Sequence, residues 1–170
     1  MYMTTKSLGF AAYSGTGKTS LLTQLIPLLI NQGVRIAVIK HSHHDFEIDQ
    51  PGKDSYELHH AGSSQTLLTS KFRSVLIAEN KPKIEPVLSQ EIQKLDLSTI
   101  DLVLVEGFRN EKSLTRIELH RPSLGKPYLY PGDDNIIALA SDQKVDIEIP
   151  LLDINNPDEI VDFILNVIVS

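Results

Sequence analysis

Ala12-Tyr13-Ser14-Gly15-Thr16-Gly17-Lys18-Thr19 is the stretch from which the architecture of this chain is read. The run before it, residues 7–12, is short and apolar, the pattern of a buried strand. After it the period changes: Leu21, Leu22, Leu25, Leu28 and Leu29 recur at helical spacing. Strand, glycine-rich turn and helix in that order are the setting of a phosphate-binding loop, whose backbone N–H groups converge on phosphate oxygens with a helix N-terminus behind them. A bare Gly-Lys-[Ser/Thr] triplet occurs by chance in roughly one chain in ten of this length, so these surroundings carry the argument. The competing reading is a glycine-rich turn opening an ordinary helix. The usual motif begins with a glycine where this chain has Ala12, a change that is tolerated if the residue keeps a negative φ.

Working outward, Asn31-Gln32-Gly33 supplies a stop for the helix, and Pro27 inside it removes one backbone donor and favours a bend. Residues 34–39 read as a second buried strand, which completes a strand-loop-helix-strand unit and implies a parallel sheet. Asp54 and Glu57 resemble a capping box opening a helix over 55–61, with Gly62 after it. Residues 65–69 and 74–78 read as strands joined by a turn, 87–95 as a helix, and 116–120 and 136–140 as strands. Residues 101–107, Asp-Leu-Val-Leu-Val-Glu-Gly, give the clearest buried strand, and 158–169 an amphipathic helix after Pro157. The expected class is α/β, a P-loop NTPase with a three-layer sandwich around a mainly parallel sheet. No repeat or rich linker divides the chain, so residues 1–170 are expected to form a single nucleotide-binding domain.

With 16 Lys+Arg against 22 Asp+Glu among 170 residues the formal charge is −6, which argues against a broad nucleic-acid-binding face. A hydrophobic content of 41% allows a substantial core. The absence of cysteine excludes disulfides, thiolate chemistry and Cys-ligated zinc. Neither a leader nor a membrane-spanning run is legible, so the expected location is cytoplasmic.

The motif assigns Ser14, Gly15, Thr16, Gly17, Lys18, Thr19 and Ser20 to the nucleotide phosphates, with Lys18 reaching the β- and γ-phosphates and the Thr19 hydroxyl completing a magnesium shell. Ligands gather at the carboxyl ends of parallel strands. Asp101 and Glu106 are separated by about 16 Å along their strand, and only Glu106 stands at that end. It is the candidate magnesium-linked acid, acting through water, with Gly107 letting backbone approach the γ-phosphate; Asp101 reads as a strand-end surface residue. His41, His43, His44 and Asp45 invite a metal reading, but on an extended loop His44 points away from the other two and no further ligand completes a tetrahedron. Lys40, His41 and Asp45 are candidates for switch-like or substrate contacts, with Asp45 a candidate metal ligand; a solvated polar loop is the alternative. Asn80-Lys-Pro-Lys83 fails as a guanine motif because lysine replaces the carboxylate. Asp142, after the strand 136–140, is the candidate acceptor for guanine, and a turn carboxylate is the alternative.

Ala11 to Thr19, Ile39-Lys-His-Ser-His-His-Asp45, Pro51-Gly-Lys-Asp-Ser-Tyr-Glu57, Ala61-Gly62, Leu102-Val-Leu-Val-Glu-Gly-Phe108 and Leu152-Asp-Ile-Asn155 together resemble the MobB family of molybdopterin-guanine dinucleotide biosynthesis proteins. The resemblance runs nearly the whole length in order, and the Lys-His-x-His-His-Asp and Pro-Gly-Lys-Asp-Ser-Tyr-Glu blocks are its specific parts. It implies a GTP-binding accessory protein with weak magnesium-dependent GTPase activity, usually a homodimer, working beside the guanylyltransferase that joins GMP to molybdopterin, with a direct molybdopterin contact left open. By position it implies that Gly15 to Thr19 hold phosphates and metal, with Lys18 and Glu106 as the residues closest to chemistry.

Two other functions compete. A small-molecule kinase acting on a pterin-like acceptor would need cationic clamps, and of Arg35, Arg73, Arg109, Arg116 and Arg121 only Arg109 looks well placed from the sequence. A scaffold with a relic loop would have no physical reason to keep lysine, hydroxyl and acid at matched places.

Overall fold

The computed structural model describes residues 6–42 and 44–169, so the reading of His43 lies outside the described residues. The described residues form two compact units, one reaching His41 and resuming at Val87, the other covering residues 42–86.

The first unit carries six strands: β1 Lys6–Ala11, β2 Ile36–Lys40, β5 Leu102–Glu106, β6 Arg116–His120, β7 Ile136–Ser141 and β8 Leu151–Asp153. They form one sheet in the order β2-β5-β1-β6-β7-β8, and every neighbouring pair is parallel. The four aliphatic residues of β5 are fully buried, as a central parallel strand with both faces covered requires. On one face, Leu21, Leu25 and Leu29 of α1 (Lys18–Asn31) meet Ile160 and Ile164 of α4 (Pro157–Ile164) over Leu8, Leu104 and Leu119. Truncating one such leucine to alanine typically costs about 2–5 kcal/mol. On the other face Val103 and Val105 pack against Leu88 of α3 (Leu88–Gln93), Phe108 and Leu114. Helices therefore cover both faces of the sheet, as the α/β reading expects.

α1 runs across Pro27 and closes at Gly33, whose left-handed φ of 84° lets its N–H reach the Ile30 carbonyl. α4 gives way at Leu165–Val169 to a wider π-turn, so the expected helix over 158–169 changes character in its last turn.

The second unit holds α2 (Asp54–His60) and an antiparallel hairpin of β3 (Gln65–Thr69) and β4 (Ser74–Ala78). The expected capping box does not form. Asp54 is already the first helical residue, the cap position is Lys53, and the Glu57 carboxylate accepts from the Gly52 N–H at 3.3 Å. Within this unit His59 is buried, with Nδ1 3.0 Å from Thr66 Oγ1 and Nε2 3.1 Å from Glu79 Oε1. Leu67 and Leu76 face each other across the hairpin, and both are exposed.

Candidate functional site

The phosphate loop joins β1 to α1. Gly15 and Gly17 hold φ values of 83° and 96°, a region that glycine enters without the Cβ penalty of other residues. The requirement is conformational: a Cβ on Gly15 would meet nothing within 4 Å, and one on Gly17 only Arg121 Nη2 at 3.9 Å. Ala12 is absent from the positive-φ residues and packs into the core, so its methyl fits where the general motif has glycine. Thr16 is turned inward, its hydroxyl donating to the Tyr13 carbonyl at 2.8 Å, and it braces the loop with its side chain.

Gly17 caps α1, and the first intrahelical bond runs from the Leu21 N–H to the Gly17 carbonyl at 2.9 Å. The N–H groups of Lys18, Thr19 and Ser20 thus stand outside the helical ladder, and no acid occupies the first turn to offset the helix dipole. Residues 13–20 and Glu106 line a cavity of about 350 Å³ at this end. Free N–H groups at a helix N-terminus facing a cavity are an arrangement suited to an anion.

Register places Glu106 beside Phe10 of β1 and Lys40 of β2. Its Oε1 lies 4.0 Å from Lys18 Nζ and its Oε2 3.6 Å from Lys40 Nζ. Burial lowers the Lys18 pKa, Glu106 opposes that shift, and the positive charges of Arg109 and Lys40 add to it. An anion arriving at Lys18 would offset the cost of this burial by favouring the charged ammonium. Among the described residues no group of three or more His, Cys, Asp or Glu side chains gathers to hold a metal. A magnesium ion at Thr19 and Glu106 would therefore draw most of its oxygen shell from phosphate and water, which suits this cation.

Past Glu106 the backbone turns twice through positive φ, at Gly107 (98°) and Phe108 (50°). A Cβ on Gly107 would sit 2.8 Å from His41 Cβ, so the entry to the histidine segment by itself requires glycine here. His41 donates its N–H to the Glu106 carbonyl at 2.8 Å and packs its ring 4.8 Å from that of Phe108. The expected extended course of the segment is not seen: Ser42 and His44 form a tight turn through the Ser42 hydroxyl. Asp45 belongs to the second unit, where it is exposed and accepts its neighbour's Phe46 N–H. Asp101 is indeed at the far strand end. It clamps Arg35 through both carboxylate oxygens, and that guanidinium holds its pKa down at about 2.

The residue that sequence reasoning missed is Arg121. It follows β6 directly, donates Nε–H to the Thr16 carbonyl at 3.0 Å and donates from Nη1 to Asp142 Oδ2 at 2.6 Å. Arg109 influences Lys18 electrostatically, but Arg121 is hydrogen-bonded to the phosphate loop itself, so Arg109 is not the sole well-placed arginine. A second cavity, of about 400 Å³, is lined by Arg121, Gln24, Ile154 and Asn155 and shares Gly15, Thr16, Gly17 and Ser20 with the first. Asp142 stands behind Arg121 at the end of β7, with Oδ1 buried and without a hydrogen-bond partner among the described residues.

Residues 7–142 match the model of a family described as Molybdopterin guanine dinucleotide synthesis protein B, MobB. The molybdopterin-guanine dinucleotide biosynthesis adapter protein of Escherichia coli is 45% identical over 159 residues, covering 93% of this chain and 90% of the relative. The protein of the same name from Haemophilus influenzae is 43% identical over 159 residues, covering 94% and 87%. A crystal structure of molybdopterin-guanine biosynthesis protein B superposes with a TM-score of 0.72 at 26% identity, over 94% of this chain and 98% of that one. The Bacillus subtilis MobB structure shares the fold, with a TM-score of 0.71 at 21% identity over 95% and 96%. The matched span runs from β1 through the phosphate loop to Asp142, and on that extent of agreement the chain belongs to the MobB family.

Proposed function

We propose that the protein is a GTP-binding adapter in molybdopterin-guanine dinucleotide biosynthesis, acting beside a guanylyltransferase in the cytoplasm as a homodimer, with a weak magnesium-dependent GTPase activity. The observation that carries the nucleotide reading is the pair of left-handed glycines that leave the first-turn N–H groups of α1, with Lys18, facing one cavity. The adapter part rests on the names of relatives that match nearly the full chain.

Ser14 to Ser20 bind the triphosphate, Lys18 releasing Glu106 to do so, and Asp142 stands at the base end. Magnesium, when bound at the Thr19 hydroxyl and near Glu106, supplies positive charge to the β- and γ-phosphates. Glu106, freed from Lys18, accepts hydrogen bonds from water and stays beside Lys40. The second unit exposes Phe46, Ile48, Leu58, Leu67, Phe72 and Leu76, an apolar surface suited to a second copy of the chain. Among the described residues no helix is long and apolar enough to cross a membrane.

Calorimetry with GTP and ATP, each with magnesium, tests the nucleotide reading. GTP is expected to bind more tightly than ATP, and equal affinities would remove the guanine assignment. Adding the protein to a purified guanylyltransferase with molybdopterin and GTP is expected to raise product formation; no effect would remove the adapter assignment.

A further inference from the structure

We propose that Arg121 reads the purine, donating to O6 and N7 of guanine, and that Asp142 acts as a positioning residue behind it. The proposal rests on the nucleotide reading above and settles which residue of the base end meets the base. The cavity beside the loop is large enough for a purine ring system and shares four loop residues with the phosphate cavity. It extends away from Glu106 toward the ends of β6 and β8, so a nucleotide with its terminal phosphate near Lys18 and Glu106 places its base there. Arg121 lines that cavity. Asp142 does not: its Oδ1 is buried and its Oδ2 is taken by Arg121 at 2.6 Å.

Arg121 has five N–H donors. Nε–H goes to the Thr16 carbonyl and one Nη1–H to Asp142, which fixes the guanidinium plane at both ends. Nη2, 3.9 Å from the place of a Gly17 Cβ, makes no hydrogen bond among the described residues. A clamped arginine fork with spare donors is complementary to an edge carrying two acceptors, and guanine O6 and N7 form such an edge. Adenine presents an amino donor in place of O6, so the same fork leaves donors facing a donor. Asp142 orients the fork and balances its charge. Because Arg121 also holds the Thr16 carbonyl, base recognition and phosphate-loop geometry share one side chain.

The test is calorimetry on the full chain with magnesium and four probes, GTP, ITP, ATP and 2-aminopurine riboside triphosphate, with xanthosine triphosphate as a fifth nucleotide for wild type and Asp142→Asn. ITP keeps O6 and N7 but lacks the 2-amino group, and 2-aminopurine keeps the amino group but lacks O6. Wild type is expected to bind GTP and ITP alike and the other two more weakly. Arg121→Gln and Arg121→Lys are expected to lower the GTP-to-ATP affinity ratio by roughly tenfold or more, the loss of a charge-assisted contact. Asp142→Asn is expected to lower the ratio without creating affinity for xanthosine triphosphate. A uniform loss for all four probes in Arg121→Gln would assign Arg121 to phosphate and overturn the proposal. So would an unchanged ratio, weak ITP binding by wild type, or a gain of xanthosine triphosphate binding in Asp142→Asn, which would put the carboxylate itself on the base. If Arg121→Gln does not fold, Arg121→Lys and the wild-type probe series still decide the matter. Absence of any GTP preference in wild type would overturn the nucleotide reading itself, a different outcome from preference that survives loss of Arg121.

Discussion

Replacing Lys18 with alanine should separate nucleotide binding from folding, because the two depend on this side chain with opposite sign. The ammonium is mostly buried and its nearest counter-charge, Glu106, is 4.0 Å away. Desolvation outweighs that attraction, and the Lys18 pKa lies below its ordinary value of 10.5. A group whose folded pKa is depressed contributes stability that is present above its unfolded pKa and is lost as pH falls through the folded one, so at neutral pH the charged lysine strains the fold. Its removal should leave the unliganded protein within about 1 kcal/mol of wild type, a Tm change of about 2–4 °C for a chain of this length. Lys18→Ala should be at least as stable as wild type at pH 7, with the difference shrinking as pH rises toward 10.5. Binding responds the other way. Two charge-assisted hydrogen bonds to phosphate, at about 1.5–3 kcal/mol each, correspond to a loss of about 10²- to 10⁴-fold in affinity. Thermal unfolding with and without magnesium-GTP reads both at once: wild type gains a ligand-dependent shift and Lys18→Ala does not. Wild-type affinity in the variant, or a collapse of its Tm without ligand, would show that Lys18 serves the fold instead of the phosphates.

Gly17→Ala should lower stability by about 1–2 kcal/mol from its left-handed φ of 96° and weaken GTP binding, checked by urea unfolding and calorimetry. Asp101→Asn removes a carboxylate held at about 2 by Arg35. Its stabilising contribution is present above the unfolded value of 3.8 and is lost as pH falls toward about 2, so wild type and variant should differ at pH 6 and converge near pH 2 in denaturant midpoints. If the proposed homodimer forms through the exposed hairpin face, the double substitution Leu67→Lys and Leu76→Lys should leave the chain monomeric in light scattering with its helical circular dichroism intact, and an unchanged oligomeric state would refute that face as the interface.

Periodicity was enough to find the strands over 65–69, 74–78 and 116–120, because each alternates or runs apolar between turn residues. The phosphate loop was legible for a different reason: its glycines, lysine and hydroxyl are contiguous, so one motif holds the whole device. Strand order was not. β1 and β2 are consecutive in the chain, yet β5 lies between them, an insertion decided by long-range packing. β8 has only three residues, too few for any period. Arg121 carries no local signature, since its partners Thr16 and Asp142 are 105 and 21 residues away. Asp54 misled by a single position, a carboxylate just inside a helix having the same neighbours in sequence as one just outside it.

Why Arg121 reaches the loop follows from the pleat of β6. Ile117 and Leu119 point into the core beneath α1 and α4, and two residues further on Arg121 takes the same side. The opposite side carries Arg116, Glu118 and His120, all buried. Such a row would be ruinous unpaired, and each charged member is answered. Arg116 donates to the Leu114 and Phe108 carbonyls at 3.0 and 2.9 Å and to Asp133 at 3.2 Å. The two oxygens of Glu118 accept the Leu129 and Tyr130 N–H groups at 2.9 Å each, although burial still raises its pKa. The His120 ring lies 4.4 Å from that of Tyr128. These bonds fasten the segments after β5 and β6 to the far face of the sheet and forbid a one-residue slip, which would bury the row against α1 and turn Arg121 away from Thr16. Glu118, buried and paired, thereby fixes the facing of an arginine three residues along that meets the phosphate loop.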